Sequence, residues 1–136
     1  TVIRDCYNSN PESLAEALQF CESLDWQGRR VYVIGDMLEL GENSRSAHEA
    51  AGRLLAGSSA DMVFLYGDEA RAAAKVFQAG APDRCFHSSD MGELSRALGA
   101  YVQEGDLVLL KGSRGCALER LCDVLVCAEN NVEGAA

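Results

Sequence analysis

Five short apolar runs alternate with longer segments of helical periodicity along this 136-residue chain. Each run is followed by polar residues or glycine, which is typical of buried strands in an α/β protein. The runs are Val2-Ile3, Val31–Ile34, Met62–Tyr66, Cys85-Phe86 and Leu107–Leu110. Strands that alternate with helices in this way form a parallel sheet, because each connection must cross over the sheet. The sequence therefore predicts an α/β domain with a mostly parallel sheet of about five or six strands.

The segments between the runs carry the periodicity of amphipathic helices. Two begin after Asn10 and after Ser44. Their apolar positions are Leu14, Ala17, Leu18 and Cys21 in the first, and Ala47, Ala50, Ala51, Leu54 and Leu55 in the second. Another follows Asp68, and a fourth starts at the capping-box-like pair Asp90 and Glu93. Helices that flank the sheet on both faces predict a Rossmann-like, three-layer, doubly wound architecture.

A final helix is predicted to begin near Ser113 or Arg114. Its apolar positions are Leu118, Leu121, Leu125 and Val126. Residues 130–136 lack apolar periodicity and are predicted to be a frayed tail, so that the domain covers residues 1–129.

The charge of the chain narrows the possible partners. A formal net charge of −9 would repel a phosphate backbone or an anionic membrane surface over most of the molecule, so neither nucleic acid nor membrane is expected. The sequence also lacks an apolar run of about 18 residues or a signal peptide. Its six cysteines form neither a CxxC pair nor a zinc-type group with histidine. These features predict a cytoplasmic protein with reduced thiols and no metal site of its own.

Polar side chains concentrate first in the segment DCYNSNP, at residues 5–11, where a strand turns into a helix. Pro11 suits the first helical position and Asn10 is a preferred N-cap. The free N–H groups of that helix would face the carboxyl edge of the sheet, where they favour a phosphate or carboxylate. The alternative is that Asn10 and Pro11 serve only as a helix cap.

A second cluster is the glycine-bracketed loop GDMLELG at residues 35–41. Its apolar residues are expected to pack on the domain, while Asp36 and Glu39 face outward and receive a cation or an amine. A solvated loop whose glycines only serve turn geometry is the alternative.

The third cluster, LKGSRG at residues 110–115, places two cations and a hydroxyl between a strand and the predicted final helix. Cations at a helix N-terminus are unfavourable unless an anion compensates them, so this segment is predicted to bind an anionic ligand or partner. It is not a Walker A loop, because the required GxxxxGK[ST] spacing is absent.

Together, DCYNSNP, GDMLELG with His48 after it, and LLKGSRG resemble the C-terminal domain of the Mur ligases. The match spans most of the chain, with Ser9 where many relatives carry alanine. The motifs are most similar to the branch that adds D-alanyl-D-alanine to UDP-N-acetylmuramoyl-tripeptide in peptidoglycan synthesis. The resemblance implies a three-domain enzyme of which this chain is the last part, alongside N-terminal and central domains of the same parent chain.

In such ligases ATP and Mg²⁺ are held mainly by the central P-loop domain. A substrate carboxylate becomes an acyl phosphate, an amine attacks it, and an amide, ADP and phosphate result. The C-terminal domain closes over the nucleotide and completes the amine pocket. This chain alone is therefore expected to be inactive and to bind ATP weakly.

The resemblance also assigns roles to residues. Asp5 would contact the ATP ribose, and the nucleotide and amine substrate would be bordered by Tyr7, Asn8 and Asn10. Near the closed active site, Lys111 and Arg114 are the candidate catalytic residues.

Three further residues are expected to bind substrate. Ser113 would help to hold the dipeptide carboxylate, and charge alone suggests Asp36 and Glu39 for its ammonium group. His48 is expected to bond the backbone of the GDMLELG loop, and His87 is a weaker candidate on the same edge.

A second function class stays open at this stage. The chain could be a free-standing module that binds a nucleotide or phosphorylated metabolite, or an interaction domain without chemistry. The missing GxGxxG fingerprint argues against dinucleotide binding. The start at Thr1, directly in a strand and without methionine, favours a part of a longer chain.

Overall fold

The computed structural model describes residues 1–6 and 8–125. Its five strands form one parallel sheet in the order β1-β5-β2-β3-β4. They are β1 (Val2–Asp5), β2 (Arg30–Gly35), β3 (Met62–Tyr66), β4 (Cys85–Ser88) and β5 (Leu107–Lys111). All five predicted strands are confirmed. β1 is the outermost strand on one side of the sheet, and β5 lies between β1 and β2, so the first and last strands of the described chain are neighbours.

Helices cover both faces of this sheet. They are α1 (Pro11–Ser23), α2 (Ser44–Ala56), α3 (Arg71–Gly80) and α4 (Met91–Tyr101). The first three share one apolar core with Tyr32 and Ile34 of β2. On the other face, α4 and residues 118–125 pack with Val31 and Val33. The predicted three-layer, doubly wound α/β class is confirmed, since alternate β2 side chains enter two different cores.

The predicted start of α1 is confirmed in detail. Asn10 is the N-cap and Pro11 is the first helical residue. The Asn10 side chain accepts a hydrogen bond from the Ser13 backbone N–H at 2.9 Å, and the Asn10 N–H donates to the Ser13 hydroxyl at 3.0 Å. This reciprocal capping box needs only residues close in sequence, which is why the sequence could predict it.

The predicted final helix is wrong in where it begins. Residues Arg114–Cys116 and Leu118–Leu121 form two short 3-10 turns, separated by Ala117 in the left-handed conformation with φ 54°. Helical geometry appears only at residues 122–125. Leu118, Leu121 and Leu125 are all buried, so the apolar spacing was read correctly although the backbone differs.

Some predictions fall outside the described residues: those on Tyr7 and Val126, the domain boundary at 129 and the frayed tail 130–136. Within the described part, each helix is too short or too polar to cross a membrane. The cysteines described are free thiols, namely Cys6, Cys21, Cys85, Cys116 and Cys122.

Candidate functional site

The first and last strands bring Asp5 and Lys111 together at the carboxyl edge of the sheet, where ligands bind in open α/β folds. They are register partners on neighbouring strands. The Lys111 residue is 1% exposed, and its Nζ lies 2.9 Å from Oδ2 of Asp5. It also donates to the Asn8 carbonyl at 2.6 Å. A buried ammonium group requires such partners, so the anion that compensates Lys111 is supplied by the chain itself.

Asp5 keeps part of its surface open despite this ion pair. Its side chain is 45% exposed, against 2% for that of Lys111. Asn8 is exposed next to it, whereas Asn10 uses its side-chain oxygen to cap α1. The segment therefore presents Asp5 and Asn8 to solvent, with the N-terminus of α1 beside them.

Asp36 does not face outward, and that prediction is wrong. The residue is 8% exposed, and its Oδ1 accepts a hydrogen bond from the Ala70 N–H at 2.7 Å, just before α3. Burial raises the pKa of Asp36, and the bonds from the Ala70 and Glu69 backbone only partly offset this effect. Asp36 thus holds the backbone immediately before α3, a helix that starts 35 positions later in sequence.

Gly67 makes room for the Asp36 carboxylate. It has φ +116°, and a Cβ built on it would overlap that carboxylate. Its N–H donates to the Ser88 carbonyl at 3.0 Å, which ties the ends of β3 and β4. A glycine is required here both for the backbone angle and for the close approach.

Ser113 joins the second and third motifs directly. Its hydroxyl accepts a hydrogen bond from the Leu38 N–H at 2.9 Å, and its own N–H donates to the Asp36 carbonyl at 3.1 Å. Glu39, one residue after Leu38, is exposed and adopts φ 65°. The loop is therefore anchored through its backbone, and Glu39 is left at its outer side.

The two histidines both bond the backbone. His48 is 2% exposed, and its Nε2 accepts a hydrogen bond from the Met37 N–H at 3.0 Å. Its Nδ1 lies 2.7 Å from the Ser44 carbonyl, so the network assigns the proton to Nδ1. The prediction that His48 holds the GDMLELG loop is confirmed. The Nε2 of His87 lies 2.8 Å from the Gly67 carbonyl oxygen, and this contact links β4 to the turn after β3.

Arg114 is exposed and begins a 3-10 turn rather than an α-helix, so the argument from an unfavourable helix dipole does not apply. It lines a cleft of about 360 Å³ with Arg4, Cys6 and Glu119. Sequence reasoning missed Arg4 and Glu119, although the position of Arg4 beside the predicted ribose contact was a usable signal.

Cys6 contributes a neutral group to this cleft. Burial, with smaller effects from Cys122 and Glu119, raises the pKa of the Cys6 thiol to about 11. Its Sγ lies 3.6 Å from the Leu110 carbonyl, to which it donates. At physiological pH the charge of the described cleft lining therefore comes from the two arginines and Glu119.

Among residues 1–6 and 8–125, no group of three or more His, Cys, Asp or Glu side chains could hold a metal ion. The donors of the described edge are the Asp5 carboxylate paired with lysine, the Asp36 carboxylate bonded to backbone N–H groups before α3, the exposed Glu39 carboxylate, and amide and hydroxyl groups. Such a set suits hydroxyl, ammonium and anionic groups of organic ligands better than a hard divalent cation.

The chain matches a known protein family and is similar to individual known proteins. Residues 1–114 match the family described as "Mur ligase, glutamate ligase domain". The chain is similar to UDP-N-acetylmuramoyl-tripeptide--D-alanyl-D-alanine ligase of Bacillus subtilis, with 36% identity over 130 residues, covering 93% of this chain and 28% of the relative. The corresponding ligase of Treponema pallidum is 42% identical over 122 residues, covering 89% of this chain and 26% of the relative.

This chain is also similar to a solved structure of a ligase. MurF ligase from Thermotoga maritima, in complex with ADP, superposes with a TM-score of 0.73 and 28% identity. The match covers 99% of this chain and 30% of that one. The chain thus spans less than a third of the length of each of these proteins.

Proposed function

Because this chain belongs to the Mur ligases, with its match to their glutamate ligase domain over residues 1–114, we propose that it is the C-terminal domain of an ATP-dependent ligase. The reaction proposed for the parent enzyme joins D-alanyl-D-alanine to UDP-N-acetylmuramoyl-tripeptide through an amide bond. The observation that carries the proposal is the meeting of all three motifs at one sheet edge. Asp5 pairs with Lys111 there, and Ser113 bonds the loop that contains Asp36.

The nucleotide is proposed to lie against the DCYNSNP segment. Asp5 offers a half-exposed carboxylate whose position is fixed by Lys111, which suits it to accept hydrogen bonds from ribose hydroxyls. Asn8 and the N-terminus of α1 open to the same side, where an anionic group is favoured. Asn10 supports this arrangement as the cap of α1, and Tyr7 remains a proposed neighbour of the nucleotide. The MurF ligase from Thermotoga maritima is in complex with ADP, which supports the proposal that a nucleotide lies against this domain.

Lys111 is proposed to act as a positioning residue rather than by touching the reacting atoms. Its ammonium group is buried and bonded to Asp5 and to the Asn8 carbonyl, so it fixes both sides of the segment that faces the nucleotide. Arg114 is exposed at the same end of the sheet, so we propose it as the cation that meets a ligand carboxylate or the charge that develops during transfer.

For the amine substrate, Glu39 is the proposed partner of the ammonium group because it is exposed on an anchored loop. Asp36 would shape the pocket indirectly, since its carboxylate is held at the start of α3. Ser113 uses its hydroxyl oxygen toward Leu38, and the hydroxyl hydrogen is proposed to donate to the dipeptide carboxylate.

The remaining machinery is proposed to come from the N-terminal and central domains of the parent chain. ATP binding through a P-loop and Mg²⁺ binding are assigned to the central domain. The bound nucleotide would supply the phosphoryl group that activates the substrate carboxylate. A cytoplasmic setting is proposed because the described thiols are free.

The test is ligase turnover by the full-length parent, followed as phosphate release from ATP in the presence of UDP-N-acetylmuramoyl-tripeptide and D-alanyl-D-alanine. We expect Asp5→Asn to raise the KM for ATP about 10-fold or more, because one charge-assisted contact is lost. Lys111→Ala is expected to lose most activity because it leaves Asp5 unpaired and Asn8 unanchored. Arg114→Ala is expected to reduce kcat/KM.

Asp25→Asn is the matched control, since Asp25 is exposed after α1, at the opposite edge of the sheet. Its kinetics should equal those of the wild type. Unchanged turnover in Asp5→Asn, Lys111→Ala and Arg114→Ala together would overturn the site, and an inactive wild-type parent would overturn the function.

A further inference from the structure

We propose that Glu69 and Ser44 are positioning residues of the ligase reaction, because through His48 they hold the backbone that presents Glu39 to the amine substrate. This inference rests on the proposed function and adds a remote support to it, since neither side chain is expected to touch the substrate. The residues that carry it form a chain of hydrogen bonds between the turn before α3 and the GDMLELG loop.

The first argument is the continuity of these hydrogen bonds. The Ser44 hydroxyl, at the start of α2, donates to Oε2 of Glu69 at 2.6 Å and lies 3.3 Å from Nδ1 of His48. The Nε2 of His48 accepts a hydrogen bond from the Met37 N–H at 3.0 Å. An exposed carboxylate is thereby linked, through two side chains, to the backbone of a buried part of the loop.

The second argument concerns the positions of the protons. A serine hydroxyl has one hydrogen, and Glu69 accepts it from Ser44. The Ser44 oxygen can therefore only accept at Nδ1 of His48, as does the Ser44 carbonyl 2.7 Å away. These two acceptors assign the proton to Nδ1 and leave Nε2 with the lone pair that the Met37 N–H needs. A proton on Nε2 would instead oppose that N–H and release the loop.

The third argument is the backbone of the loop itself. Glu39 has φ 65°, a left-handed conformation that a residue other than glycine keeps only where its surroundings determine it. The two preceding residues, Met37 and Leu38, donate their N–H groups to His48 and Ser113. Loss of the bond at Met37 would remove one side of this support, so Glu39 would be presented to the ammonium group less often.

The fourth argument separates the position of the loop from the stability of the fold. The loop has a second, buried link to the same turn, in which Asp36 accepts a hydrogen bond from the Ala70 N–H at 2.7 Å. Glu69 is exposed, and Ser44 is the first residue of α2, where alanine is a good helix former. Removal of either side chain should therefore leave the domain folded, so that a change in kinetics can be assigned to the loop.

The experiment measures ligase turnover by the full-length parent, with D-alanyl-D-alanine and ATP varied in turn. For Glu69→Ala we expect the KM for the dipeptide to rise about 5-fold, with the KM for ATP unchanged. Glu69→Gln should stay within about 2-fold of the wild type, because its amide oxygen still accepts from the Ser44 hydroxyl. Asp68→Ala is the matched control and should behave as the wild type, since Asp68 is exposed beside Glu69 but has its carboxylate 4.0 Å from Arg71.

Two further measurements test the link itself. Ser44→Ala should raise the KM for the dipeptide as Glu69→Ala does, and the double variant should raise it no further, because both substitutions break one chain of hydrogen bonds. In this chain alone, hydrogen exchange at the Met37 amide should be about 5-fold faster in Glu69→Ala, while the amides of β3 are unchanged.

An unchanged KM for the dipeptide in Glu69→Ala, or a rise that Glu69→Gln shares in full, would overturn the inference. Equal rises in the KM values for dipeptide and ATP would also overturn it, because they would indicate a general loss of structure. A wild-type parent without ligase turnover would instead overturn the proposed function, whereas exchange at the Met37 amide tests the chain of hydrogen bonds without any turnover.

Discussion

At the scale of single residues, the carboxyl edge is held by contacts between groups that are far apart in sequence. Asp36 is bonded to the Ala70 N–H, and Lys111 is paired with Asp5. The buried Asp36 carboxylate and the buried Lys111 ammonium group are thereby both satisfied, as burial of a charged group requires. The Asp36 carboxylate fits only because residue 67 has no side chain.

Gly67→Ala tests that fit. We expect a loss of about 3 kcal/mol or more in the free energy of unfolding, because the new Cβ would overlap Asp36 and φ +116° is strained for alanine. Urea denaturation of the chain measures this change. Gly80→Ala is the control, since its Cβ would meet nothing within 4 Å at the end of α3, and it should be neutral or stabilise by up to about 1 kcal/mol. Equal stability of the two variants would contradict the close approach at Gly67.

The sequence predicted residue contacts only where they are local. Asn10 was correctly predicted as a cap because its partner Ser13 is three positions away. Asp36 was expected to face solvent because nothing in its own loop indicates that the start of α3 will lie over it. The Lys111 position was predicted as part of the site, but its partner Asp5 became visible only with the strand register.

At the scale of elements, Glu22 joins three parts of the fold. Its carboxylate accepts hydrogen bonds from the Tyr32 hydroxyl of β2 at 2.6 Å and from the backbone and hydroxyl of Ser59 at 2.9 and 2.6 Å. Burial alone would raise the pKa of Glu22, but the bonds from Ser59 and Tyr32 outweigh it and hold the pKa below its ordinary value of 4.5. The end of α1 is thereby fastened to β2 and to the turn before β3.

Glu22→Gln should destabilise the chain by roughly 0.5–1 kcal/mol at neutral pH, a value reduced by the exposure of the carboxylate. A lowered pKa in the folded state means that the contribution is fully present above the ordinary pKa and is lost as pH falls through the folded value. The difference between wild type and variant should therefore shrink below about pH 4.5. Denaturation at several pH values measures it, with exposed Glu16→Gln of the same helix as control. A difference that grows toward acid pH would contradict the assigned role.

Among the elements, the strands and the first four helices were predictable from their periodicity, and the C-terminal segment was not. Leu118, Leu121 and Leu125 are spaced by three and four positions, which fits an α-helix and equally fits a 3-10 turn followed by a helix. The left-handed conformation of Ala117, which divides the segment, has no signal in an alanine.

At the scale of the whole molecule, the edge of the sheet offers one face of a binding site rather than an enclosed one. Asp5 and Asn8 present polar groups outward, and a closed pocket around a nucleotide requires another surface opposite them. The order of the strands, with β5 inserted between β1 and β2, decides which groups share that edge. The order of the strands cannot be predicted from the hydrophobic pattern, since every strand of a buried parallel sheet carries a similar apolar run.

The chain on its own is therefore expected to release no phosphate from ATP when mixed with both peptide substrates. Its Kd for ATP should be about 1 mM or weaker, because few contacts are available from one face. Calorimetric titration and a phosphate-release assay measure the two quantities, with the full-length parent under the same conditions as control. Turnover by the chain alone would show that its own residues suffice for the chemistry.

The place of β5 in the sheet also has a consequence during translation. Val2 pairs with Val108, so the first strand leaves the ribosome about 100 positions ahead of the strand that it needs. At roughly 5–20 residues per second, that is a delay of about 5–20 seconds. A polypeptide that stops early has an unpaired first strand and no lysine for Asp5. The Asp5–Lys111 pair at the carboxyl edge therefore forms only after residue 111 has been translated, and products that end earlier are left with exposed strand edges that quality-control proteases can recognise.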